Sequence, residues 1–453
     1  MSTDPRGRQS GRPGISRRSL LRGAGLLTLG GLGATACGSP LVTGLTGAGP
    51  ATRSLTYWNP FGGGDGVRMI EMQDAYVKAH PEIDLTPVTL TWGAPYYTKL
   101  SLATLGDSPP DIAIAHLDRY PTFAEADLLE PLDTEVLARH GITEDKFTPA
   151  AWQQSHVGDT LYALPLDTHP WVLYYHKDVC KKAGLLDADG ALKNLDGRDA
   201  LADAMAAAKK VTGQYGGVSA TIADPATCWR EFSTLYWQLG GNDILADDGA
   251  RIVLDDDKAV QALTYQAELT VEKKVMPDID YPGAITAFST GKAGFYFQGP
   301  WEVTTFLTSK TPFGMTTFPQ VFDEYVVWAD SHAFVLPKDS SRDPQRRDLI
   351  LQYAKFLLEN SLTWAQGGHV PAWLPIQESK EYRELDPQSS YTRAAYAARY
   401  DPPAWYSGAG SNFENAFGDP VAGLKAGRLE PEQAVRAIRR NLAEFANTPP
   451  PVG

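Results

Sequence analysis

The chain has 453 residues and a formal net charge of −13, and its composition, with 43% hydrophobic and 21% charged residues, is typical of a globular protein. An N-terminal leader with six arginines and one aspartate contributes +5, and taking +5 from −13 leaves −18 for the rest of the chain. Such an acidic protein repels phosphate backbones, which argues against nucleic acid as a partner. Outside the leader, no apolar run is long enough to cross a membrane.

Residues 1–36 have the pattern of an export signal: a basic region, a short apolar run and small residues before a cleavage point. Arg17 and Arg18 resemble the twin-arginine export motif, and the Ala-Thr-Ala before Cys37 resembles a bacterial lipobox. We therefore expect cleavage before Cys37, acylation of its thiol and attachment to the outer face of the cell membrane through the lipid alone. Residues 37–54 would then form a flexible tether. A cleaved, unlipidated secretory signal is the alternative.

Strands and helices alternate along the first part of the chain after the leader. The hydrophobic pattern predicts strands at 55–58, 83–90 and 111–115 and helices at 67–80 and 95–105. This alternation favours a mostly parallel α/β sheet, in which ligands bind where loops follow the carboxyl ends of strands. The loops at 59–66 and 116–120 occupy such positions.

The rest of the chain contains more predicted helix. Helices are predicted at 194–210, 229–239, 257–274, 284–290, 346–359 and 431–445, and strands at 293–297 and 328–336. Cys180 and Cys228 are permitted to form a disulfide outside the cytoplasm, and the sequence leaves a bridge and free thiols open. No CxxC, HExxH or clustered His/Cys spacing is present, so the sequence indicates no metal centre.

Four stretches of the chain carry a family resemblance. They are YWNPFGGGD at 57–65, PDIAIAHLDRY at 110–120, LPLDTHPWVLYYHKD at 164–178 and AFSTGKAGFYFQGPW at 287–301. In this order, and behind a lipoprotein-like leader, they resemble the bacterial extracellular solute-binding proteins of sugar ABC importers, the maltose-binding-protein-like family. The resemblance runs from about residue 55 to residue 445.

The resemblance implies an α/β, two-lobe periplasmic-binding-protein-like fold with a hinge and an interlobe cleft. The first lobe would hold residues 55–164 and 320–371, and the second lobe residues 169–312 and 374–453. The three hinge crossings would be residues 165–168, 313–319 and 372–373.

The function that the resemblance implies is that of a monomeric, non-catalytic receptor without a cofactor. It would capture a mono- or oligosaccharide in the cleft and deliver it to the permease subunits of an ABC importer. The 11 tryptophans and 20 tyrosines suit this role, because aromatic rings cover the apolar faces of sugars. Two alternatives stay open. One is an exported glycoside hydrolase, which needs two opposed carboxyl groups, and the other is a receptor of the same fold for a non-sugar solute.

Five residues match positions that the family uses for ligand contacts. Trp301 follows Gly-Pro, and the resemblance implies that its ring stacks on a sugar. Asp118 and Arg119 match an Asp-Arg pair that binds sugar hydroxyls, and Asn59 and Asp65 lie in a loop where the family places polar contacts. Each assignment has a structural alternative: Trp301 would be an ordinary core tryptophan, Asp118 and Arg119 a surface salt bridge, and Asp65 a turn or helix-capping residue.

Two positions depart from the best-known member of the family. It has a glutamate where this chain has His169, two residues after Asp167, and a tryptophan where this chain has Ala115, beside His116. Because these changes alter the pattern of polar contacts, maltose is not carried over as the ligand.

The remaining candidates flank the second-lobe cleft edge or the later crossings. Trp229 and Arg230 would offer a stacking platform and a partner for a hydroxyl or an acidic sugar, or would only pack a helix. The other predicted ligand-binding residues are His332, His369, Trp373, Trp405 and Phe413.

Overall fold

The structure, a computed structural model, describes residues 53–449. The predicted signal peptide, Cys37 and nearly all of the predicted tether lie outside these residues. Within residues 53–449, no helix combines the length and the apolar character that a membrane crossing requires.

Most strands are short and assemble into three main sheets and two small hairpins. In the described part of the chain they are β1 (Ser54–Asn59), β2 (Asp84–Thr89), β3 (Ile112–His116), β4 (His156–Val157), β5 (Thr160–Leu161), β6 (Ala163–Pro165), β7 (Asp167–Pro170), β8 (Val172–His176), β9 (Tyr215–Val218), β10 (Leu245–Ala246), β11 (Arg251–Ile252), β12 (Ala293–Gln298), β13 (Phe313–Thr317), β14 (Val327–Asp330), β15 (His332–Val335), β16 (Val370–Pro371) and β17 (Ala398–Arg399).

Helices cover the faces of the sheets. Between residues 53 and 449 the α-helices are Gly63–Ala79, Ala94–Leu105, Tyr120–Glu125, Thr134–Arg139, Pro149–Gln154, Lys177–Lys182, Arg198–Thr212, Pro225–Gln238, Asp256–Ala267, Tyr281–Ser289, Val303–Thr308, Pro344–Glu359, Ser361–Ala365, Leu374–Gln377, Lys380–Arg383, Thr392–Tyr396, Asn412–Lys425 and Pro431–Ala446. Single turns of 3-10 helix lie at Glu144–Lys146, Pro300–Glu302 and Gln388–Tyr391, and a π turn lies at Glu268–Glu272.

The first lobe is built on a five-stranded sheet in the order β2-β1-β3-β15-β6. The first three strands are parallel, and β15 runs antiparallel to β3 and β6. Strand β3 is buried along its whole length, as its apolar sequence predicts. Strand β2 contains Pro87, which an edge strand tolerates because one side of its backbone needs no partner.

The second lobe is built on a four-stranded sheet in the order β13-β8-β12-β9. Strands β13 and β12 run antiparallel to β8, and β9 is parallel to β12. The long helices Pro225–Gln238 and Asn412–Lys425 pack with this sheet around a large apolar core. The predicted two-lobe α/β fold is therefore confirmed.

A small third sheet, in the order β16-β7-β14-β17, connects the lobes. Strand β7 links β6 of the first sheet to β8 of the second, and β14 links β13 of the second sheet to β15 of the first. The chain therefore crosses between the lobes through strands of this connecting sheet.

Two predicted crossings differ from those observed. Residues 313–317 form β13 inside the second lobe, and Val321 and Trp328 pack in that lobe's core, so the first lobe resumes at His332 rather than at residue 320. Ala372 and Trp373 lie in the first lobe's core, after the crossing strand β16. The sequence located these segments, but which lobe each segment joins depends on strand pairing, which the sequence does not show. The remaining predicted lobe boundaries stay predictions.

Several predicted elements have shifted ends with a local cause. The helix predicted at 229–239 begins at Pro225, because the carboxylate of Asp224 accepts a hydrogen bond from the backbone N–H of Thr227 and caps the helix. The strand predicted at 328–336 is divided at Ser331 between the connecting sheet and the first sheet. The C-terminal helix begins at Pro431 as predicted, with Glu430 and Gln433 forming a capping box.

Candidate functional site

A cavity of about 600 Å³ lies between the two lobes. This volume falls within the range of about 300–1,000 Å³ that is typical of small-molecule sites. Its lining residues are Pro60, Phe61, Gly62, Gly63, Gly64, Asp65, Trp92, His116, His169, Ala223, Asp224, Ala226, Arg230, Tyr281, Ile285, Trp301, Glu302, Thr305 and His332. Both lobes and the connecting strand β7 therefore contribute to one site.

The glycine-rich loop after β1 forms part of the first-lobe wall. It leads into helix Gly63–Ala79 and brings the two lobes into contact, since a Cβ at Gly64 would lie only 2.8 Å from Cβ of Thr304. A side chain at position 64 would push the walls apart. Glycine is thus needed here for a close approach between the lobes.

The second-lobe wall presents Trp301. Its indole Nε1 donates a hydrogen bond to Oη of Tyr281 at 2.9 Å, and that hydroxyl donates to Oε1 of Glu302 at 2.5 Å. The ring lies over Gly299, where a Cβ would be 1.9 Å from ring carbon Cζ3. These contacts hold the indole in one orientation before any ligand arrives, which lowers the entropic cost of stacking on a ligand.

Arg230 lies beside this tryptophan at the edge of the cavity. Its guanidinium carbon is 5.0 Å from the ring centre of Trp301 and 4.6 Å from that of Trp328, both within the range of a cation–π contact. Nη2 is 3.8 Å from Oε1 of Glu414, and Nε has no hydrogen-bond partner within residues 53–449. Arg230 therefore combines a fixed position with a donor left over for another group.

Histidines and one buried aspartate form the floor of the cavity. Oδ1 of Asp167 accepts from Nδ1 of His169 at 2.9 Å, and Oδ2 accepts from Nδ1 of His332 at 2.7 Å and from the indole of Trp364 at 2.5 Å. His369 lies 3.5 Å from the same carboxylate through Nδ1. One donor atom from each of Asp167 and these three histidines lies within 4.8 Å of the others, an arrangement that is able to hold a metal ion.

The pKa values of the side chains on this floor depend on their burial and on the charges of their neighbours. Burial lowers the pKa of His169 to about 3 and lowers that of His116, and His332 lowers both further. For Asp167, burial alone would raise the pKa, but His332, His369 and His169 hold it well below its usual range. Burial would also lower the pKa of His369, but Asp65 and Asp167 raise it.

Six predicted ligand-binding residues line the cavity. They are Asp65, His116, His169, Arg230, Trp301 and His332. Asp167 and His369 lie directly beneath them, both fully buried. The role of these eight residues in binding a ligand stays a prediction.

Asp118 and Arg119 lie away from the cavity wall. Oδ1 of Asp118 accepts from the backbone N–H of Ala409 at 3.1 Å, and Nη1 of Arg119 donates to the backbone oxygen of Ser407 at 2.8 Å. Both residues thus bind the Gly-rich loop of the second lobe instead of lining the cavity. Oδ2 of Asp118 and Nε of Arg119 have no hydrogen-bond partner within residues 53–449, and the predicted ligand contacts of both residues stay a prediction.

The predicted aromatic platforms other than Trp301 also lie elsewhere. Trp229 is fully buried, donates through Nε1 to Oδ1 of Asp401 at 2.7 Å and packs against Phe413. Trp373 packs in the first lobe's core, and Trp405 packs against the second lobe's core. None of these rings lines the cavity, because apolar neighbours enclose them, and their predicted contacts with a ligand stay a prediction.

Asn59 has a local structural role. Its Oδ1 accepts from the backbone N–H of Phe61 at 3.1 Å and from Oγ1 of Thr89 at 3.3 Å. The residue is buried and shapes the loop that lines the cavity. Its Nδ2 has no hydrogen-bond partner within residues 53–449, and the predicted sugar contact stays a prediction.

Several residues that line the cavity were not predicted from the sequence. Trp92 follows β2 just as the predicted loops follow β1 and β3, and Glu302 is adjacent to Trp301, so both carried a usable signal. Tyr281 and Asp224 lie at helix starts, where their types suit turns and caps as well as binding. Only the packing of the lobes shows that they face the same cavity.

The two cysteines in the described residues are free and buried. Burial raises the pKa of the Cys180 thiol to about 12 and raises that of Cys228 as well. The alternative of two separate thiols therefore holds in this structure, and neither has the thiolate character of a reactive cysteine.

Two α/β lobes, three connecting strands and a cavity between the lobes define the class of proteins that enclose a small solute by bringing two lobes together. The sequence model of the bacterial extracellular solute-binding proteins matches residues 64–362, and the chain belongs to this family. The family resemblance read from the sequence is thereby confirmed.

Two curated relatives and one solved structure show how far the similarity extends. The chain is 28% identical over 226 residues to the arabinooligosaccharide-binding protein of Bacillus subtilis, a match that covers 49% of this chain and about half (48%) of that protein. It is 23% identical over 355 residues to the maltodextrin-binding protein MdxE of the same organism, covering 74% of this chain and 78% of that protein.

The structural match covers more of the chain. The GacH receptor of Streptomyces glaucescens, whose structures are described without ligand and with acarbose, superposes with a TM-score of 0.71 at 19% identity. The superposition covers 86% of this chain and 98% of that receptor. At this identity the match supports the fold.

Proposed function

We propose that this protein is an extracytoplasmic receptor that captures a mono- or oligosaccharide between its lobes and delivers it to the permease of an ABC importer. The observation that carries the proposal is the immobilised indole of Trp301 on the wall of an interlobe cavity of about 600 Å³. An indole held in one orientation is suited to cover the apolar C–H face of a sugar. The names of the two curated relatives and the family membership support the same ligand class.

Polar groups around the indole suit the hydroxyls of a sugar. Asp65 and Glu302 offer carboxylate oxygens, Arg230 offers guanidinium donors, and His116 and His332 offer ring nitrogens. Hydrogen bonds to charged groups are short and directional, so their arrangement selects one pattern of hydroxyls. The receptor is proposed to be monomeric and non-catalytic, to use no cofactor for sugar capture, and to reach the membrane only through a lipid on Cys37.

The ligand class is tested by calorimetric titration with maltodextrins, arabinooligosaccharides and other saccharides. For the saccharide that binds, we expect Trp301→Ala to weaken binding by about 30-fold, since burying such a side chain against a ligand contributes about 2 kcal/mol. Trp405→Ala is the matched control, because Trp405 packs in the same lobe away from the cavity. Unchanged affinity in Trp301→Ala would refute this placement of the site.

A glycoside hydrolase is separated from a receptor by the fate of the saccharide. Chromatography after prolonged incubation with the bound oligosaccharide should recover it intact. Cleavage products that depend on the protein, and that disappear in Glu302→Gln, would replace the receptor with an enzyme. Mass spectrometry of the membrane-associated protein, compared with Cys37→Ser, tests the lipid.

A further inference from the structure

Four metal-donor side chains meet at the cavity floor from segments far apart in the sequence. Asp167 and His169 lie on β7, His332 begins β15, and His369 immediately precedes β16. All four are buried, and one donor atom from each lies within 4.8 Å of the others. These segments connect the two lobes, so the cluster lies where the lobes hinge.

The hydrogen bonds of this cluster leave one position unexplained. Oδ1 of Asp65 accepts from Nε2 of His369 at 2.9 Å, so Nε2 carries a proton. In a neutral imidazole, Nδ1 then presents a lone pair. That Nδ1 has no hydrogen-bond partner within the described residues and lies 3.5 Å from Oδ2 of Asp167, another lone-pair donor.

Two lone pairs facing each other in a fully buried position repel strongly, because no water screens them. A positive centre between them removes the repulsion. The candidates are a proton on Nδ1 of His369 and a metal ion. The metal ion also accounts for the convergence of two further histidines on the same carboxylate, which a single proton on His369 does not require.

We propose that this floor is a binding site for a divalent transition metal ion of the zinc type, held by Asp167, His169, His332 and His369. Three imidazoles and one carboxylate, without thiolates, form a donor set that such ions prefer. The contacts of Asp167 with the three Nδ1 atoms span 2.7–3.5 Å. A tetrahedral site with bonds of about 2.1 Å has donors about 3.4 Å apart, so the four donors, which lie within 4.8 Å of one another, would draw together around the ion.

Neighbouring side chains orient these donors through hydrogen bonds and stacking, as side chains next to metal ligands do in other proteins. Asp65 fixes the tautomer of His369, and the ring of Trp364 stacks on His369 with centroids 4.5 Å apart and an angle of 11°. The Trp364 indole also donates to Asp167. Binding through Nδ1 of His169 and His332 moves the proton of each ring to Nε2 or releases it to solvent. Both rings line the cavity, which provides the entry path.

The site is tested with the mature protein, free of affinity tags and stripped with a chelator. Zn²⁺ is titrated in competition with a chromophoric chelator, and Co²⁺ is titrated with recording of its visible spectrum. We expect one equivalent of Zn²⁺ with a micromolar or lower dissociation constant, and an intense, four-coordinate Co²⁺ spectrum. No binding of Zn²⁺ below about 100 μM, or a weak six-coordinate Co²⁺ spectrum, overturns the proposal.

Variants locate the ion within the protein. His369→Gln should weaken Zn²⁺ binding by at least about 100-fold, and Asp65→Asn, which alters only the outer partner, by about 10–100-fold. His176→Gln is the matched control, because His176 is also buried with an unpartnered Nδ1 but lies in the second lobe away from the cluster. Equal Zn²⁺ affinity in wild type and His369→Gln overturns the site.

Folding of each variant is checked by circular dichroism. If His369→Gln does not fold, the wild-type Co²⁺ spectrum and the Asp65→Asn titration decide the question. A wild-type protein that binds no metal but gains stability on acidification, lost in His369→Gln, assigns the position to a proton and refutes the proposal. None of these measurements depends on the identity of the saccharide.

Discussion

Two buried polar networks in this protein have similar chemistry but different degrees of completion. In the second lobe, Nζ of Lys425 donates to both carboxylate oxygens of Glu231 at 2.9 and 3.0 Å and to Oγ of Ser219 at 2.9 Å. Every member belongs to one lobe, and the network is closed. At the cavity floor, Asp167 contacts histidines from β7, from the start of β15 and from the residue before β16, and Nδ1 of His369 has no hydrogen-bond partner within residues 53–449.

The difference indicates that buried charge is fully used for structure in one place and stays available for binding in the other. A closed network inside one rigid lobe fixes the packing of its helices, since every buried donor and acceptor is satisfied. An open network beside a cavity keeps capacity for a proton, an ion or a ligand group. Stability should therefore depend mainly on the first network, and ligand affinity mainly on the second.

The largest effect is expected from breaking the closed network. Lys425→Met leaves the Glu231 carboxylate buried without its partner and should lower the free energy of unfolding by about 3–5 kcal/mol. Urea denaturation measures this loss. Calorimetry should give an unchanged dissociation constant for the saccharide, because both residues lie outside the cavity lining. In Lys425→Met/Glu231→Leu most of the stability should return, and a double variant no more stable than the single one would contradict the charge-based explanation.

A smaller loss of stability with a larger loss of binding is expected from the open network. Asp167→Asn retains the size of the side chain but removes the charge that orients His169 and His332. Hydrogen bonds to charged groups contribute about 1.5–3 kcal/mol, so unfolding should become about 2 kcal/mol easier. Saccharide affinity should fall at least about tenfold. A dissociation constant equal to that of the wild type would show that the cavity floor does not take part in binding.

The third prediction concerns pH, and its effect over a single pH unit is the smallest of the three. Burial, together with Asp401, raises the pKa of Glu414 to about 8 despite the opposing effect of Arg230. Because its folded pKa lies above its usual value near 4.5, Glu414 contributes stability that is complete below about pH 4.5 and is lost as the pH rises through 8. Wild type should therefore lose stability relative to Glu414→Gln by up to about 1.4 kcal/mol per pH unit toward alkaline pH.

This pH dependence is measured by urea denaturation of both proteins between pH 5 and 9. The groups that face Glu414 are Arg230, Asp401, Asp224 and the backbone N–H of Gly410. Their titration is common to both proteins to a first approximation and cancels in the difference. A difference in stability that is constant across this range would show that Glu414 is already ionised in the folded protein.

Local signals in the sequence were sufficient to predict features that depend on a single helix, strand or short motif. The apolar run of β3 could only be a buried strand, and the amphipathic pattern with a proline at its start predicted the C-terminal helix within one residue. Trp301 was found because Gly-Pro precedes it in a matching motif. Trp229 does not line the cavity, and the sequence could not show this, because helix Pro225–Gln238 is buried from Ala226 to its end and its pattern does not indicate which side faces the cavity.

The sequence by itself determined the α/β class, the family, the order of the main elements and one cavity aromatic, because hydrophobic periodicity, caps and short motifs act over a few residues. Only the tertiary structure decided which loops share a cavity, where the chain crosses between lobes, and that the distant His332 and His369 meet Asp167 and His169. Those outcomes depend on strand pairing and lobe packing over hundreds of residues, for which no local pattern carries a signal.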